Sequence, residues 1–501
     1  MDQNFDFYKE KLSFETEDFW LKRGEKMAFD LFHKMSKEVP AYKDFLKKNN
    51  TDPNSIKTIE DFKKVPLASK DNYLRNYELE DLCWNGTFAN NHWDISSTSG
   101  STGEPFYFPR TDEQNANYAL SAELYLRENF QIEKRSTLYI NCFALGVWIG
   151  GIFTYEAIKM VARRGNYNLS IINPGLNKSE IFKTVKKLGS KFDQVIIGGY
   201  PPFVKDVVDE GIKEGVNWSE YNLKFVFSAE GFSEDFRDYI YKKTGNHNIY
   251  FDSLNHYGTV DQGTIAHETP LSILIRRLAI KDENIFKSIF GDSPLLPTLA
   301  QYLPELFYFE VVDGGVVCSS YSGLPLVRYD LKDNGGVVGF EEMKKLFLDN
   351  GVDLIKEAKK EGIEKSIWNL PFVFVRERKD MCVSLSGAGI YPETIKQVIE
   401  KEKFQRYFTG KFTMIVKRDE NQDPYLEINI ELKKDTEKPS AELQNIIIEK
   451  IVENLLKMNS EYKVIYTDRG HEKASPRLEF WTYGSSKYFG GGGKQKWSIK
   501  N

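Results

Sequence analysis

Cysteine is scarce in this sequence: 501 residues hold four, Cys83, Cys142, Cys318 and Cys382, far apart and with no C-x-x-C pair. That argues against a disulfide framework and a zinc ribbon, and leads us to expect reduced thiols in a cytoplasmic protein. Long apolar runs are absent too. The most apolar stretch, residues 144–153, carries three glycines and is only ten residues long, too short to span a bilayer. The opening MDQNFDFYKEK lacks the basic-then-apolar layout of a secretion signal. Neither sign of charge dominates. The formal net charge is -5, with Lys and Arg scattered among acids, so nothing pulls the whole chain toward nucleic acid or an anionic membrane. No internal repeat is visible, and the one low-complexity patch is Gly490–Gly493, beside Lys494.

What is present is the composition of packed domains, 41% hydrophobic and 14% aromatic. The length exceeds what one core covers, so two or three domains are expected. Between residues 14 and 48 apolar side chains recur at helical spacing (Phe19, Met27, Phe29, Leu31, Phe32), interrupted at Pro40. Further on, strand and helix alternate. Gln194–Gly198, Leu223–Phe227 and Asn248–Asp252 read as strands. Between the last two lies a helix with legible ends: Ser233 as cap, Glu234 and Asp235 in the first turn, Lys242 and Lys243 in the last, Gly245 as stop. This alternation predicts parallel βαβ units, hence an α/β fold with functional loops at the carboxyl ends of strands. The charged run VRERKD (375–380) marks a boundary. Beyond it, strands at Phe412–Val416 and Tyr425–Leu432 and a helix at Ala441–Met458 predict a small α+β domain. The expected division is 1–376 and 377–501.

The stretch of greatest chemical interest is STSGSTGEPF, residues 97–106, with five hydroxyls and two glycines. Backbone N–H groups and hydroxyls in such a loop can cradle phosphate oxygens, and glycine permits positive φ and close backbone approach. It is not a Walker loop, because Gly103 is followed by Glu104-Pro105. Composition alone is equally consistent with a plain polar turn.

The order T-S-G-S-T-G-x-P resembles the phosphate loop of the acyl-adenylate-forming enzymes, the superfamily of acyl-CoA synthetases and adenylation domains. The branch it most resembles is the phenylacetate–coenzyme A ligase-like family with its capsule-biosynthesis relatives. The resemblance extends over nearly the whole chain, through V-P-A-Y-K (39–43), P-L-x-x-K-D (66–71) and G-G-x-x-x-Y (Gly150, Gly151, Tyr155). It implies a large AMP-binding α/β body with a small mobile C-terminal domain. Thr98, Ser99, Gly100, Ser101, Thr102 and Gly103 would then hold the phosphates of ATP, and Ser228, Ala229, Glu230 and Gly231 would form the adenine-contacting turn. Tyr257-Gly258-Thr259-Val260-Asp261 resembles the family's aromatic-G-x-[ST]-E segment, whose ring packs on adenine, whose hydroxyl reaches the α-phosphate and whose acid helps hold Mg²⁺. Here Val260 stands at the hydroxyl position, Thr259 lies one residue earlier, and Asp261 is the shorter acid.

Arg328-Tyr329-Asp330-Leu331-Lys332-Asp333, preceded by Leu324-Pro325, resembles P-x-x-R-Y-R-T-G-D and assigns the ribose hydroxyls to Asp333; Leu331-Lys332 replaces the family's T-G. Arg378-Lys379-Asp380 with Gly387, Tyr391, Pro392 and Ile395 resembles G-R-x-D…G…P-x-x-I, with Glu377 in place of glycine. The resemblance puts Arg378 beside the nucleotide and makes Lys379 and Asp380 the hinge. It places a catalytic lysine near the C-terminus: Lys494, with Lys487 as the alternative, since an insertion separates both from Pro476-Arg477. Gly150, Tyr155, Tyr200 and His256 are expected around the acid, and the neighbouring Trp148, Phe153 and Phe203 suit an aryl or otherwise apolar acid.

The activity implied by the resemblance is ATP- and Mg²⁺-dependent activation of a small carboxylic acid, with coenzyme A as the leading acceptor. A carrier protein, a protein side chain or an amine is the alternative acceptor, and a homodimer is a common family assembly. The departures at Val260, Asp261 and Lys332 leave open a non-catalytic nucleotide-binding derivative. No basic stripe with interleaved aromatics supports a nucleic-acid role.

Overall fold

The computed structural model describes residues 5–97, 106–147, 149–229, 231–293, 296–378, 383–385, 388–419, 424–489 and 496–499. The N-terminal periodicity becomes two helices, Glu17–Glu38 and Pro40–Lys48. Pro40 opens the second helix, at a position where its missing N–H leaves no bond unmade. Trp20, Phe32, Tyr42 and Phe62 are fully buried in one apolar cluster with Tyr257 and Tyr329, so these helices press directly on the strands that carry the candidate site.

Those strands belong to a sheet of eleven strands among the described residues. Leu169–Ile172, Thr137–Asn141, Gln194–Gly199, Leu223–Ser228 and Ser253–Thr259 lie side by side and parallel. Every residue of Gln194–Gly199 is buried, as expected of a parallel strand covered on both faces. Then the sense reverses. Gly263–His267, Thr298–Gln301, Phe372–Arg378, Leu326–Val338, Gly315–Ser320 and Phe307–Val312 continue the sheet as antiparallel neighbours. The turn at residues 260–262 is where parallel gives way to antiparallel, and it carries Asp261.

The helix Glu234–Thr244 has the ends read from its sequence: the Ser233 hydroxyl accepts from the Phe236 N–H, and Gly245 stops it at φ 74°. The strand expected at Asn248–Asp252 is not formed. There the Asn248 carbonyl accepts from the N–H groups of Phe251 and Asp252, and the Asp252 carboxylate takes the Asn248 N–H and the Lys224 ammonium. Local side-chain bonds of this kind compete with a ladder, and the strand starts at Ser253 instead. As a result His256, Tyr257, Gly258 and Thr259 end a strand rather than follow one. The charged run VRERKD likewise begins inside a strand, Phe372–Arg378.

A second unit has its own core, built from Val383, Ile395, Phe408, Phe412, Ile428, Ile451 and Trp497 among others. Its sheet runs Arg477–Trp481, Pro424–Leu432, Phe408–Arg418, Ser498–Ile499, flanked by the helices Pro392–Ile399 and Ala441–Met458. Among the described residues no helix is long and apolar enough to cross a membrane. Cys83, Cys142 and Cys318 are buried and free, and burial raises the Cys83 thiol to about 12; Cys382 lies outside the described residues.

Candidate active site

Two tyrosine–aspartate pairs cross at the centre of the site. Tyr257 donates its hydroxyl to Asp333 Oδ2 at 2.6 Å, and Tyr329 donates to Asp261 Oδ2 at 2.6 Å. Each segment carries Tyr and Asp four residues apart, and each tyrosine meets the other segment's aspartate. Asp333 and both tyrosines are buried, while the Asp261 side chain keeps 12% of its surface open.

Lys70 joins them. Its Nζ lies 3.5 Å from Asp261 Oδ1 and 5.5 Å from the centre of the Phe108 ring. The segment P-L-A-S-K-D is laid there by backbone pairing: the Ala68 N–H donates to Arg328 O at 3.1 Å, and the Asp330 N–H donates to Ala68 O at 2.8 Å. Lys70 and Tyr329 stand in motif segments quoted from the sequence, but neither was assigned a role there. The repeated Y-x-x-x-D spacing was the available signal for Tyr329, and the lysine of the P-L-x-x-K-D motif was the signal for Lys70.

Thr259 Oγ1 accepts from the Gln262 N–H at 3.2 Å and so closes the turn. A side chain at Gly258 would place its Cβ 2.8 Å from Gly263 O, so only glycine allows the strands to approach here. Val260, at the hydroxyl position of the family segment, packs against the N-terminal apolar cluster.

Ser228 faces His256 across the parallel ladder, and Ala229 takes φ 74°. A left-handed alanine costs about 1–2 kcal/mol, and a buried network holds the turn. Arg237 pairs with Glu234 and Glu268 at 2.9 Å each, Arg276 pairs with Glu268 at 2.6 Å, and Arg276 also donates to Phe232 O at 2.6 Å. Glu268 Oε2 in turn accepts from the Asn255 N–H at 2.8 Å. One cluster of charges thereby fixes both the turn ending at Gly231 and the strand carrying Tyr257.

The residues expected to hold phosphate, Thr98, Ser99, Gly100, Ser101, Thr102 and Gly103, lie outside the described residues, as do Trp148, Glu230, Lys379, Asp380, Lys494 and the side chain of Arg378. The flanks of the loop are described: Asp94–Ser97 pairs antiparallel with Tyr107–Arg110, which brings its base to Phe108 and Lys70. Arg378 pairs through its backbone with Asp333.

Gly150 adjoins Tyr200, whose hydroxyl would stand 3.2 Å from a Cβ placed there. Tyr155 lies on the helix Ile149–Arg164 with the Lys159 ammonium 4.8 Å from its ring centre. His256 lies between Tyr118 and Tyr125, opposite His267 in register, and Tyr118 stacks on Phe153 of that same helix at 4.4 Å. Burial, reinforced by the neighbouring His267, pushes His256 down to about 3, and burial alone takes His267 to about 4. Both imidazoles are therefore neutral near pH 7.

The C-terminal unit touches the segment that follows Leu223–Ser228 through Lys396, whose Nζ donates to Gly231 O at 2.9 Å and lies 4.9 Å from the Trp497 ring centre. Trp497 packs on Phe412 at 4.8 Å, and its carbonyl accepts from the Met414 N–H at 2.8 Å. The backbone three residues beyond Lys494 is thus anchored beside that segment. Lys487 is held over Trp481 and Tyr488, at 5.0 and 5.2 Å.

No protein-family model and no curated protein matches this chain. Solved structures do. A 2-hydroxyisobutyryl-CoA ligase in the postadenylation state, in complex with R3-HIB-AMP, matches with a TM-score of 0.68 at 14% identity, over 98% of this chain and 92% of that one. The same ligase with 2-HIB-AMP and CoA in the thioesterification state matches at 0.55 over the same shares, with 13% identity. The AtGH3.15 acyl acid amido synthetase in complex with 2,4-DB matches at 0.58 with 14% identity, over 100% of this chain and 95% of that one. The chain has the fold of these enzymes, a large α/β body followed by a small C-terminal domain.

Proposed function

We propose that this protein activates a carboxylic acid with ATP through an acyl-adenylate and then transfers the acyl group, with coenzyme A as the leading acceptor. The observation that carries the reading is the convergence of Tyr257, Asp333, Asp261, Tyr329 and Lys70 at the base of the serine–threonine–glycine loop. A carboxylate oxygen attacks the α-phosphorus, a new P–O bond forms, and pyrophosphate leaves with the electrons of the bond that breaks. The protein must neutralise charge that grows on phosphoryl oxygens and hold the groups in line. In this reading Lys70 and the loop supply positive charge and N–H donors, the Tyr257 ring packs on adenine, Asp333 receives ribose hydroxyls, and Lys494 enters from the C-terminal unit.

Asp261 suits Mg²⁺ that keeps water and phosphate ligands, since such sites need only one or two carboxylates. Among the described residues its Oδ1 meets the Lys70 ammonium alone, at 3.5 Å, which leaves coordinating capacity. When bound, the ion would supply charge neutralisation on the phosphates.

The division of labour between residues 1–376 and 377–501, with a hinge at Lys379 and Asp380, belongs to the same proposal. Rotation of the smaller part would exchange adenylation for acyl transfer. The better match to the ligase's postadenylation state than to its thioesterification state supports assigning the arrangement described here to the first half-reaction. A second reading keeps adenylation but uses an amine acceptor, and the full-length match to an amido synthetase favours keeping it. A panel of carboxylic acids assayed for pyrophosphate release, with coenzyme A or an amine added, tests both. Acid-dependent release that Lys494→Ala abolishes is expected, while release from no acid, or at the parent rate in that variant, contradicts the proposal.

A further inference from the structure

Arg110 ends the strand Tyr107–Arg110 and is 2% exposed. Among the described residues its guanidinium has one hydrogen bond, from Nη1 to Ser96 Oγ at 2.8 Å, while Nε has no partner. The other deeply buried arginines differ: Arg237 and Arg276 are paired with Glu268, and Arg328 with Glu310 at 3.0 Å. Asp94 stands opposite Arg110 in the ladder, but among the described residues the two make no ion pair, and the Asn115 amide donates to Asp94 at 2.5 Å. Burial lowers the guanidinium to about 10, against the opposing pull of Asp94. A buried charge without a counter-ion is strongly destabilising, so a fold that keeps one has a use for it.

The surroundings identify that use. Residues two apart on a strand share a face, so Arg110 lies beside Phe108, which lies under Lys70. Its other neighbour is the Phe153 ring, 5.0 Å from the guanidinium carbon and stacked on Tyr118 at 4.4 Å. Phe153 fits against Gly263, two residues past Asp261, where a Cβ would come 2.6 Å from the ring. The guanidinium therefore has Phe108 and Lys70 on one side and an aromatic wall on the other.

We propose that Arg110 receives the carboxylate of the acid substrate, an inference that rests on the adenylation reading. What the guanidinium lacks is an oxyanion, and that reading supplies two, a carboxylate and a phosphate. The phosphate side already has Lys70 and the loop, whereas Arg110 is bedded on rings suited to a flat or apolar carbon skeleton next to a carboxylate.

Arg110→Met and Arg110→Lys test this. The Met variant should melt at or above the wild-type temperature, because it removes an uncompensated charge. Millimolar benzoate should raise the melting temperature of the wild type but not of the Met variant. With the acid that wild type turns over fastest, the Met variant should raise KM for the acid about 10–100-fold and leave KM for ATP unchanged, with partial recovery in the Lys variant. A Met variant that fails to fold, or melts more than about 5 °C lower, makes the guanidinium structural and overturns the proposal. So does equal stabilisation of both proteins by benzoate. A rise in KM for ATP alone assigns Arg110 to a phosphate instead. If wild type releases no pyrophosphate with any acid, the adenylation reading fails by itself, and the benzoate comparison still decides whether Arg110 binds a carboxylate.

Discussion

Tyr257 and Asp333, Tyr329 and Asp261 form two short hydroxyl–carboxylate bonds that lock one segment to the other. A hydrogen bond to a charged group contributes about 1.5–3 kcal/mol, so each pair both holds the site and orients a carboxylate lone pair. Tyr329→Phe leaves Asp261 with Lys70 alone. The expected outcome is a fall of about tenfold in the rate of acyl-adenylate formation, by the same hydrogen-bond energy, measured in single turnover, with the melting temperature held within a few degrees. An unchanged rate would show that the Asp261 orientation is irrelevant to the chemistry. At this scale the sequence was partly legible. Tyr257, Asp261 and Asp333 stand out because motif spacing is local, whereas Lys70 reaches Asp261 only through the pairing of Ala68 with Tyr329, 261 positions apart in the chain. The neutrality of His256 was equally hidden, because burial by Tyr118, Tyr125 and His267 is a tertiary fact.

Among elements, the segment leaving the strand Leu223–Ser228 is the one on which most forces meet. It leaves a parallel strand through a left-handed alanine, rests on a network of two arginines and two glutamates, and accepts a hydrogen bond from Lys396 of the C-terminal unit. The helix that follows was read correctly end to end, since its Ser233 cap and Gly245 stop are local chemistry. The strand after it was misplaced by five residues because the Asp252 carboxylate, paired with Lys224, holds a turn that strand propensity does not report. Lys396 gives this scale its prediction. Lys396→Met should slow acyl-adenylate formation by about tenfold, the worth of one charge-assisted bond, while acyl transfer from supplied acyl-adenylate proceeds at the parent rate. Equal slowing of both half-reactions would mean that the contact merely stabilises the unit.

Across the whole molecule, the sheet divides into a parallel half and an antiparallel half, and the candidate site lies at their junction. Lysines tie the C-terminal unit to the parallel half: Lys411 to Asp206 at 3.0 Å and Lys433 to Asp209 at 2.8 Å. Alternating strand and helix signals made the α/β class legible. The junction was not legible, because strand direction depends on partners far along the chain. The most direct test of the account is a crystal structure of the protein with a non-hydrolysable ATP analogue and Mg²⁺. The account predicts adenine against the Tyr257 ring, ribose hydroxyls on Asp333, and the triphosphate between residues 98–103 and Lys70. A nucleotide bound elsewhere, or with its phosphates turned away from Lys70 and Asp261, would contradict it.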